Sequence, residues 1–289
     1  FLNDFIAFGK DFFEIYRDVG TAPFPLAFVD RVPCGFAGRF AVSGHEAGGP
    51  GVLIWVADDD SVVQYQGSAQ PKTISIDPVV RDIRQANRET LEAYTYTNDS
   101  HSFWVLTNPD GWTWEYNITE GLWNERDSTD HNDWRVSAIA RLAGTVQTFW
   151  MVGDRNTGRL GRIDPDVFKE YGEETESLIE SGIVPAFPEK TGVPRADFNI
   201  VTHVGNSESV DPNIADPEIN ISWSNDGGFI YKAPVTRGLG TQSSGRNKVT
   251  VLRVGMARGS GKRFRLSITD PVNFTLLGGD MDLQDRGKQ

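Results

Sequence analysis

Phe103-Trp104-Val105-Leu106-Thr107-Asn108-Pro109-Asp110-Gly111-Trp112-Thr113-Trp114-Glu115-Tyr116-Asn117 reads as two strands joined by a turn. Both arms are rich in aromatic and β-branched side chains, which pack well on a pleated surface. Asn108 to Gly111 combines residues that hold tight turns, through side-chain bonds to the backbone or tolerance of unusual dihedrals. The unit is a hairpin, and Trp123 with the following Arg126-Asp127-Ser128 turn extends it.

The same phrase recurs on either side. Phe5-Ile6-Ala7-Phe8 leads through Gly9-Lys10-Asp11 into Phe12 to Arg17. Leu53-Ile54-Trp55-Val56 leads through Asp58-Asp59-Asp60 into Val62 to Tyr65, and Phe149-Trp150-Met151-Val152 leads through Asp154 to Gly158 into Leu160 to Ile163. From Phe8 to Trp55, Trp104 and Trp150 the steps are 47, 49 and 46 residues. A four-stranded sheet cannot bury both faces alone, whereas several stacked about an axis can, so this period predicts propeller blades. An antiparallel sandwich with evenly spaced hairpins is the alternative.

The expected fold is therefore all-β: a β-propeller-like array of antiparallel hairpin blades over residues 1–175, then a β-rich C-terminal part over 176–289. One short helix interrupts it. Asp77 as N-cap, Pro78 at the first helical position, and Val79, Val80, Ile83, Ala86 and Leu91 on one face predict a helix to about Glu92. Asp164 to Gly172 allows a second short helix. Strands are expected near Phe40 to Val42 and Thr73 to Ile76, and over 192–209, 220–231, 248–255 and 262–269.

The 289 residues suffice for one large all-β domain or two of ordinary size, and eight Trp suit sheets that pack large flat side chains. No apolar run approaches the roughly 18 to 20 residues of a membrane-spanning helix. Phe1 is not an initiator Met, and the chain opens almost inside a strand, so it is read as a trimmed piece of something longer. Cys34 is the single cysteine, which excludes an intrachain disulfide.

Charge is unevenly placed. From Gly227 through Thr269 there is no acidic residue, yet nine of the 28 Lys and Arg lie there, so the rest sets 19 basic against 40 acidic residues, a net −21. Within this segment Arg246, Lys248, Arg253, Arg258, Lys262, Arg263 and Arg265 alternate with Val249, Val251, Val254, Phe264 and Leu266. Two strands with one charged and one apolar face would result, suited to docking another subunit or ring, or to nucleic-acid backbone. Docking to an acidic neighbour is the preferred reading, because the body of the chain is itself acidic.

Ser224-Asn225-Asp226-Gly227-Gly228-Phe229-Ile230-Tyr231 has Asp-box spacing, in which Ser224 and Asp226 tie the turn while Gly227 and Gly228 accept positive dihedrals. Its role is expected to be structural. A sialidase-like site would need clustered arginines, a tyrosine nucleophile and an acidic partner. Arg17, Arg39 and Arg141 with Tyr65 or Tyr116 are the nearest candidates, but no spacing singles them out. His45, His101, His131 and His203 stand far apart, and Asp58 to Asp60 at a hairpin tip is more simply solvated than metal-bound. No catalytic, cofactor or metal residue is assigned, and exposed Trp112, Trp114 or Trp123 would be needed for a glycan-binding module.

Ile221 to Gly228, Gly238-Leu239-Gly240, Arg253-Val254-Gly255-Met256-Ala257-Arg258 and Phe264 to Val272 resemble the C-terminal signature of the phage packaged-DNA stabilisation proteins. Phe8-Gly9-Lys10 with Glu14-Ile15-Tyr16, Tyr116-Asn117 with Gly121 to Arg126, and Gly153-Asp154 with Thr157-Gly158 extend the similarity over most of the chain, although family members run longer. The resemblance implies a tail hub or nozzle protein of short-tailed phages, a virion component assembled in the host cytoplasm. It implies a propeller subunit, six copies around the tail axis, contacts with portal or adaptor ring proteins and with a distal needle or fibre, and genome DNA passing without sequence-specific binding. It implies no enzyme and no cofactor. A glycan-binding or sialidase-like propeller is the alternative.

Overall fold

The computed structural model describes residues 4–46, 49–67, 70–109, 111–143, 148–185, 191–201, 212–240, 246–257, 259–273 and 275–285. The chain divides into two compact units at Asp166/Val167, slightly before the 175/176 boundary read from the sequence.

The first unit is a run of four meander sheets, each built from consecutive strands. β1 (Asp4–Phe8), β2 (Phe13–Asp18) and β3 (Leu26–Val32) form the first. The second contains β4 (Val42–Ser43), β5 (Leu53–Val56), β6 (Val62–Tyr65) and β7 (Lys72–Thr73). The third contains β8 (Glu92–Asn98), β9 (His101–Asn108), β10 (Trp112–Asn117) and β11 (Leu122–Glu125), and β12 (Val136–Ala143), β13 (Thr148–Asp154) and β14 (Leu160–Ile163) form the fourth. Each of the four phrases lies on the first strand of an antiparallel hairpin, as in Phe8↔Phe13, Val56↔Val62, Asn108↔Trp112 and Trp150↔Ile163.

Neighbouring sheets are joined by three successive cores. Phe13, Ile15 and Val32 meet Leu53, Trp55 and Val63; Ile54, Val56 and Val62 meet Trp104, Leu106 and Trp114; Tyr94, Tyr96 and Val105 meet Trp134, Trp150 and Val152. One sheet thus gives alternate residues to two cores, as Ile54 and Trp55 do, which is how stacked blades differ from a two-layer sandwich. The fold is an all-β, propeller-like array.

Helix α1 (Asp77–Gln85) covers the second core with Val79 and Ile83. It is shorter than expected at its C-terminus. Ala86 turns extended, the Asn87 side chain accepts the Glu89 N–H of a 3₁₀ turn (Arg88–Thr90), and β8 begins at Glu92, so Leu91 reaches the same core without continuing the helix. Ile76, not Asp77, is the N-cap, which leaves Asp77 and Pro78 in the first turn. The acidic tip of the second hairpin is consumed locally. Asp58 accepts the Gly35 N–H, Asp59 accepts from Ser61, and Asp60 pairs with Arg84 and Arg88, which ties the tip to α1 and the 3₁₀ turn.

The second unit begins with the small pair β15 (Lys169–Glu170) and β16 (Glu173–Glu174), where a short helix was expected. Asp164 instead accepts the Asp166 N–H in a local turn, and Tyr171 and Gly172 take φ of 51° and 91°, a reversal that a right-handed helix cannot contain. Then come β17 (Ser177–Glu180), β18 (Thr191–Val201), the single turn α2 (Pro212–Ala215), β19 (Glu218–Ser224), β20 (Val235–Gly238), β21 (Arg246–Ala257), β22 (Arg263–Ile268) and β23 (Thr275–Asp285). They make two antiparallel sheets, ordered β17-β22-β19-β20 and β21-β18-β23. Phe198, Ile200, Val249 and Val251 of one sheet pack with Ile219, Ile221, Trp223, Phe264 and Leu266 of the other. The part of the expected strand beyond Val201 lies outside the described residues.

Candidate functional site

The basic segment is carried by β21 and β22, and strand alternation decides which charges face out. On β22, Phe264, Leu266 and Ile268 point into the core while Arg263 and Arg265 lie on the other face. Both arginines clasp Glu180 of β17, Arg265 through Nη2 at 2.6 Å and Arg263 through Nη2 at 3.1 Å. The Arg265 guanidinium also lies 4.1 Å from the Tyr231 ring centre. On β21, Lys248 pairs with Asp197 of β18 at 2.7 Å, and Asp197 also receives Arg195 and Thr250, which holds its carboxyl down at about 2. A β-bulge then inserts an extra residue between Leu252 and Gly255, with Arg253 at φ 58°, so that Val254 turns inward and Arg253 stays exposed. Arg246 opens β21, its side chain outside the described ones, and Arg258 lies outside the described residues.

Lys262 departs from the outward-facing pattern. It is fully buried, and its Nζ donates to the Val254 carbonyl at 3.0 Å and to the Asn225 side chain. It shares strand parity with Phe264, Leu266 and Ile268, so alternation itself aims it inward. Burial, reinforced by Lys232, pushes its ammonium down to about 8. Between that value and the ordinary lysine value near 10.4 the unfolded chain binds more protons, so stability rises with pH across this window. The wild type is expected to gain up to about 3 kcal/mol relative to Lys262→Met between pH 7 and pH 10 in urea denaturation. Equal pH dependence in the two proteins would contradict the buried ammonium.

The turn after β19 is closed by its own side chains, and β19 ends at Ser224 where the expected strand ran on to Tyr231. Ser224 Oγ accepts the Gly228 N–H at 2.9 Å and donates to Asp226 Oδ1, while Asp226 Oδ1 accepts the Ile230 N–H at 3.0 Å. The Ser224 hydroxyl and these backbone donors hold the Asp226 carboxyl below its usual range. Gly227 and Gly228 have φ of 82° and 107°, the conformations that required glycine. All of these groups serve the turn itself.

The residues considered for sialidase chemistry are not brought together. Arg17 pairs with Asp4, Tyr65 lies in the first core and Tyr116 in the second, while Arg39 and Arg141 are exposed. Another trio, unnoticed in the sequence, is assembled. The Tyr96 hydroxyl donates to Glu115 at 2.5 Å, and Arg126 Nη1 donates to both at 2.8 Å while stacking 3.7 Å over Trp134. Tyr96 and Glu115 are adjacent in space because β8 and β10 flank β9. Desolvation, with the Glu115 charge, pushes the Tyr96 phenol far up. A phenol so held donates a hydrogen bond and is a poor nucleophile.

Trp114 is buried and bonds Asp82 of α1, and Trp123 packs against Trp104 and Tyr116 and bonds the Ile74 carbonyl. His101 contacts Asn117 and His131 contacts Asn156; His203 lies outside the described residues. Cys34 is half-buried, and burial followed by Asp58 and Asp59 pushes its thiol up to about 11. Among the described residues no cluster of His, Cys, Asp or Glu could hold a metal ion, and no helix is long and apolar enough to cross a membrane.

No family model and no curated protein matches the chain. Among solved structures it is similar to TolB from Acinetobacter baumannii (13% identity, 88% of this chain and 52% of that one, TM-score 0.28). It is also similar to the WD40 domain of SCAP from fission yeast (9% identity, 92% and 69%, TM-score 0.28) and to a GH43 glycoside hydrolase (9% identity, 96% and 85%, TM-score 0.25). The chain spans about half the length of the TolB chain. Scores this low carry no inference about activity.

Proposed function

We propose that this chain is a structural subunit of a short-tailed phage tail, a nozzle or hub ring below the portal or adaptor that retains packaged DNA and conducts it during ejection. The observation that carries the reading is the charge division on an all-β scaffold: a body of net −21 and an acid-free stretch from Gly227 to Thr269. An acidic lumen repels phosphate, so duplex DNA slides along it, whereas a basic wall would trap it through counterion release. Six copies, the number the family resemblance implies, would multiply the net −12 of each chain.

Arg263, Arg265 and Lys248 already meet carboxylates of the same chain and Lys262 is internal, so docking rests mainly on Arg253, with Arg246 and Arg258. Portal or adaptor proteins above, a needle or fibre below and further copies alongside are the partners of this reading. Arg253→Glu combined with Arg258→Glu is expected to abolish rings in native mass spectrometry while leaving the circular dichroism of the chain unchanged. Normal rings from the double variant would remove the docking role of this segment. The glycan-cleaving alternative finds its best geometry at Tyr96, Glu115 and Arg126, where the buried, strongly raised phenol favours a structural network instead.

A further inference from the structure

Two features of the C-terminal unit have no part in that reading. Phe229 and Ile230 stand at the tip of the Asp-box turn, 87% and 72% exposed, more than any other large apolar residue described. The turn beneath them is fixed by Ser224 and Asp226, and the Gly227 N–H donates to the Gly261 carbonyl at 3.0 Å. A tip so held loses little conformational entropy on docking. The second feature is a cleft of about 370 Å³ opening between the two sheets, with Ile183, Phe198, Phe264, Leu276 and Met281 on its walls and Asp280 at its rim. This volume lies at the low end of the range for small-molecule sites, about 300–1,000 Å³, and suits one or two apolar side chains.

We infer that the cleft of one copy receives the Phe229–Ile230 tip of a second copy. The apolar character of the tip matches the walls, and the charges beside them are opposite. Exposed Lys232 follows the tip, while Asp280 and Asp282 are exposed on β23 beside the cleft. Insertion brings the ammonium toward the carboxylates, which favours the correct partner and orientation. Tip and cleft also occupy one end of the unit. Gly261, bonded to Gly227 at the base of the tip, is so close to the cleft wall that a Cβ on it would fall 2.5 Å from Ile183 Cγ2. A patch that carries both knob and hole is self-complementary, the arrangement of a two-fold contact in which each copy gives a tip and takes one. This pairing is independent of the ring proposed above.

The test uses two single-cysteine chains in a Cys34→Ser background, one with Ile230→Cys and a size tag, the other with Met281→Cys, mixed under mild oxidation. A 230–281 cross-linked heterodimer is expected, with its yield reduced about tenfold or more by Phe229→Asp, as for loss of a buried apolar anchor. The tip side chain is exposed, so that substitution leaves the fold intact, and an unchanged thermal midpoint verifies it. Absence of the cross-link overturns the inference, as does a cross-link insensitive to Phe229→Asp. Binding of the tip to phosphatidylserine vesicles without any cross-link overturns it in favour of a lipid surface. Rings without the cross-link reject the pairing and leave the tail reading standing; the cross-link without rings does the reverse.

Discussion

Trp104→Ala is expected to remove about 3–5 kcal/mol of stability from the first unit, the usual cost of deleting a large buried aromatic. Trp104 is fully buried on β9, in the core where the second and third sheets and α1 meet, and its ring stands edge-on to Trp123 at 6.1 Å. Its Nε1 has no hydrogen-bond partner among the described residues, so the loss is one of packing. Trp55, Trp114 and Trp123, by contrast, each donate to a named acceptor. Small domains hold about 5–15 kcal/mol in all, so the variant forfeits a large fraction of the margin. At roughly 2–4 °C per kcal/mol, the thermal midpoint falls by about 10 °C. Trp104→Phe, which keeps a ring in the site, loses less. A loss under about 1 kcal/mol in chemical denaturation would mean that the sheets are not stacked through this residue.

The second large effect lies at the start of the fourth sheet. Arg135 and Asp154 are both buried, and two parallel bonds join them, Nε to Oδ1 at 3.1 Å and Nη2 to Oδ2 at 2.7 Å. Asp154 also accepts from Thr157 and from the Asn156 N–H at 2.8 Å, so one carboxylate closes the β13–β14 turn and holds Arg135, the residue that leads into β12. Arg135, then desolvation opposed by these turn donors, leaves the Asp154 carboxyl well below the usual range. Asp154→Ala strips the buried guanidinium of this counter-charge and is expected to cost about 3–5 kcal/mol at pH 7. A carboxyl whose folded pKa is depressed contributes its full stability above the unfolded value near 3.9 and loses it as pH falls below that. The gap between wild type and Asp154→Ala therefore narrows below about pH 4. A gap that stays constant down to pH 2 would show that the ionised pair is not the source.

These two residues also show what sequence reading can and cannot reach. Trp104 was legible because its phrase repeats with its turn chemistry, and the repeat fixed four hairpins in the right places. Asp154 was read only as part of a turn; its partner Arg135 sits 19 positions earlier, and no local rule pairs them. The Tyr96, Glu115 and Arg126 trio is hidden for the same reason, since it joins β8, β10 and the residue that follows β11. The end of α1 was overextended because Leu91 keeps helical spacing while an Asn87-capped 3₁₀ turn, not a helix, delivers it to the core. Lys262 follows a different rule: the alternation of Phe264, Leu266 and Ile268 places position 262 on the inner face, where strand parity outweighs charge. The bulge at Arg253, by contrast, is a matter of the register in which β21 pairs with β18, a partner distant in sequence.

Assembly is the property on which the functional proposal stands. A negative-stain image of the purified chain at high concentration tests it most directly. The proposal predicts six-fold rings with a central channel; particles that remain single and compact at every concentration would contradict it.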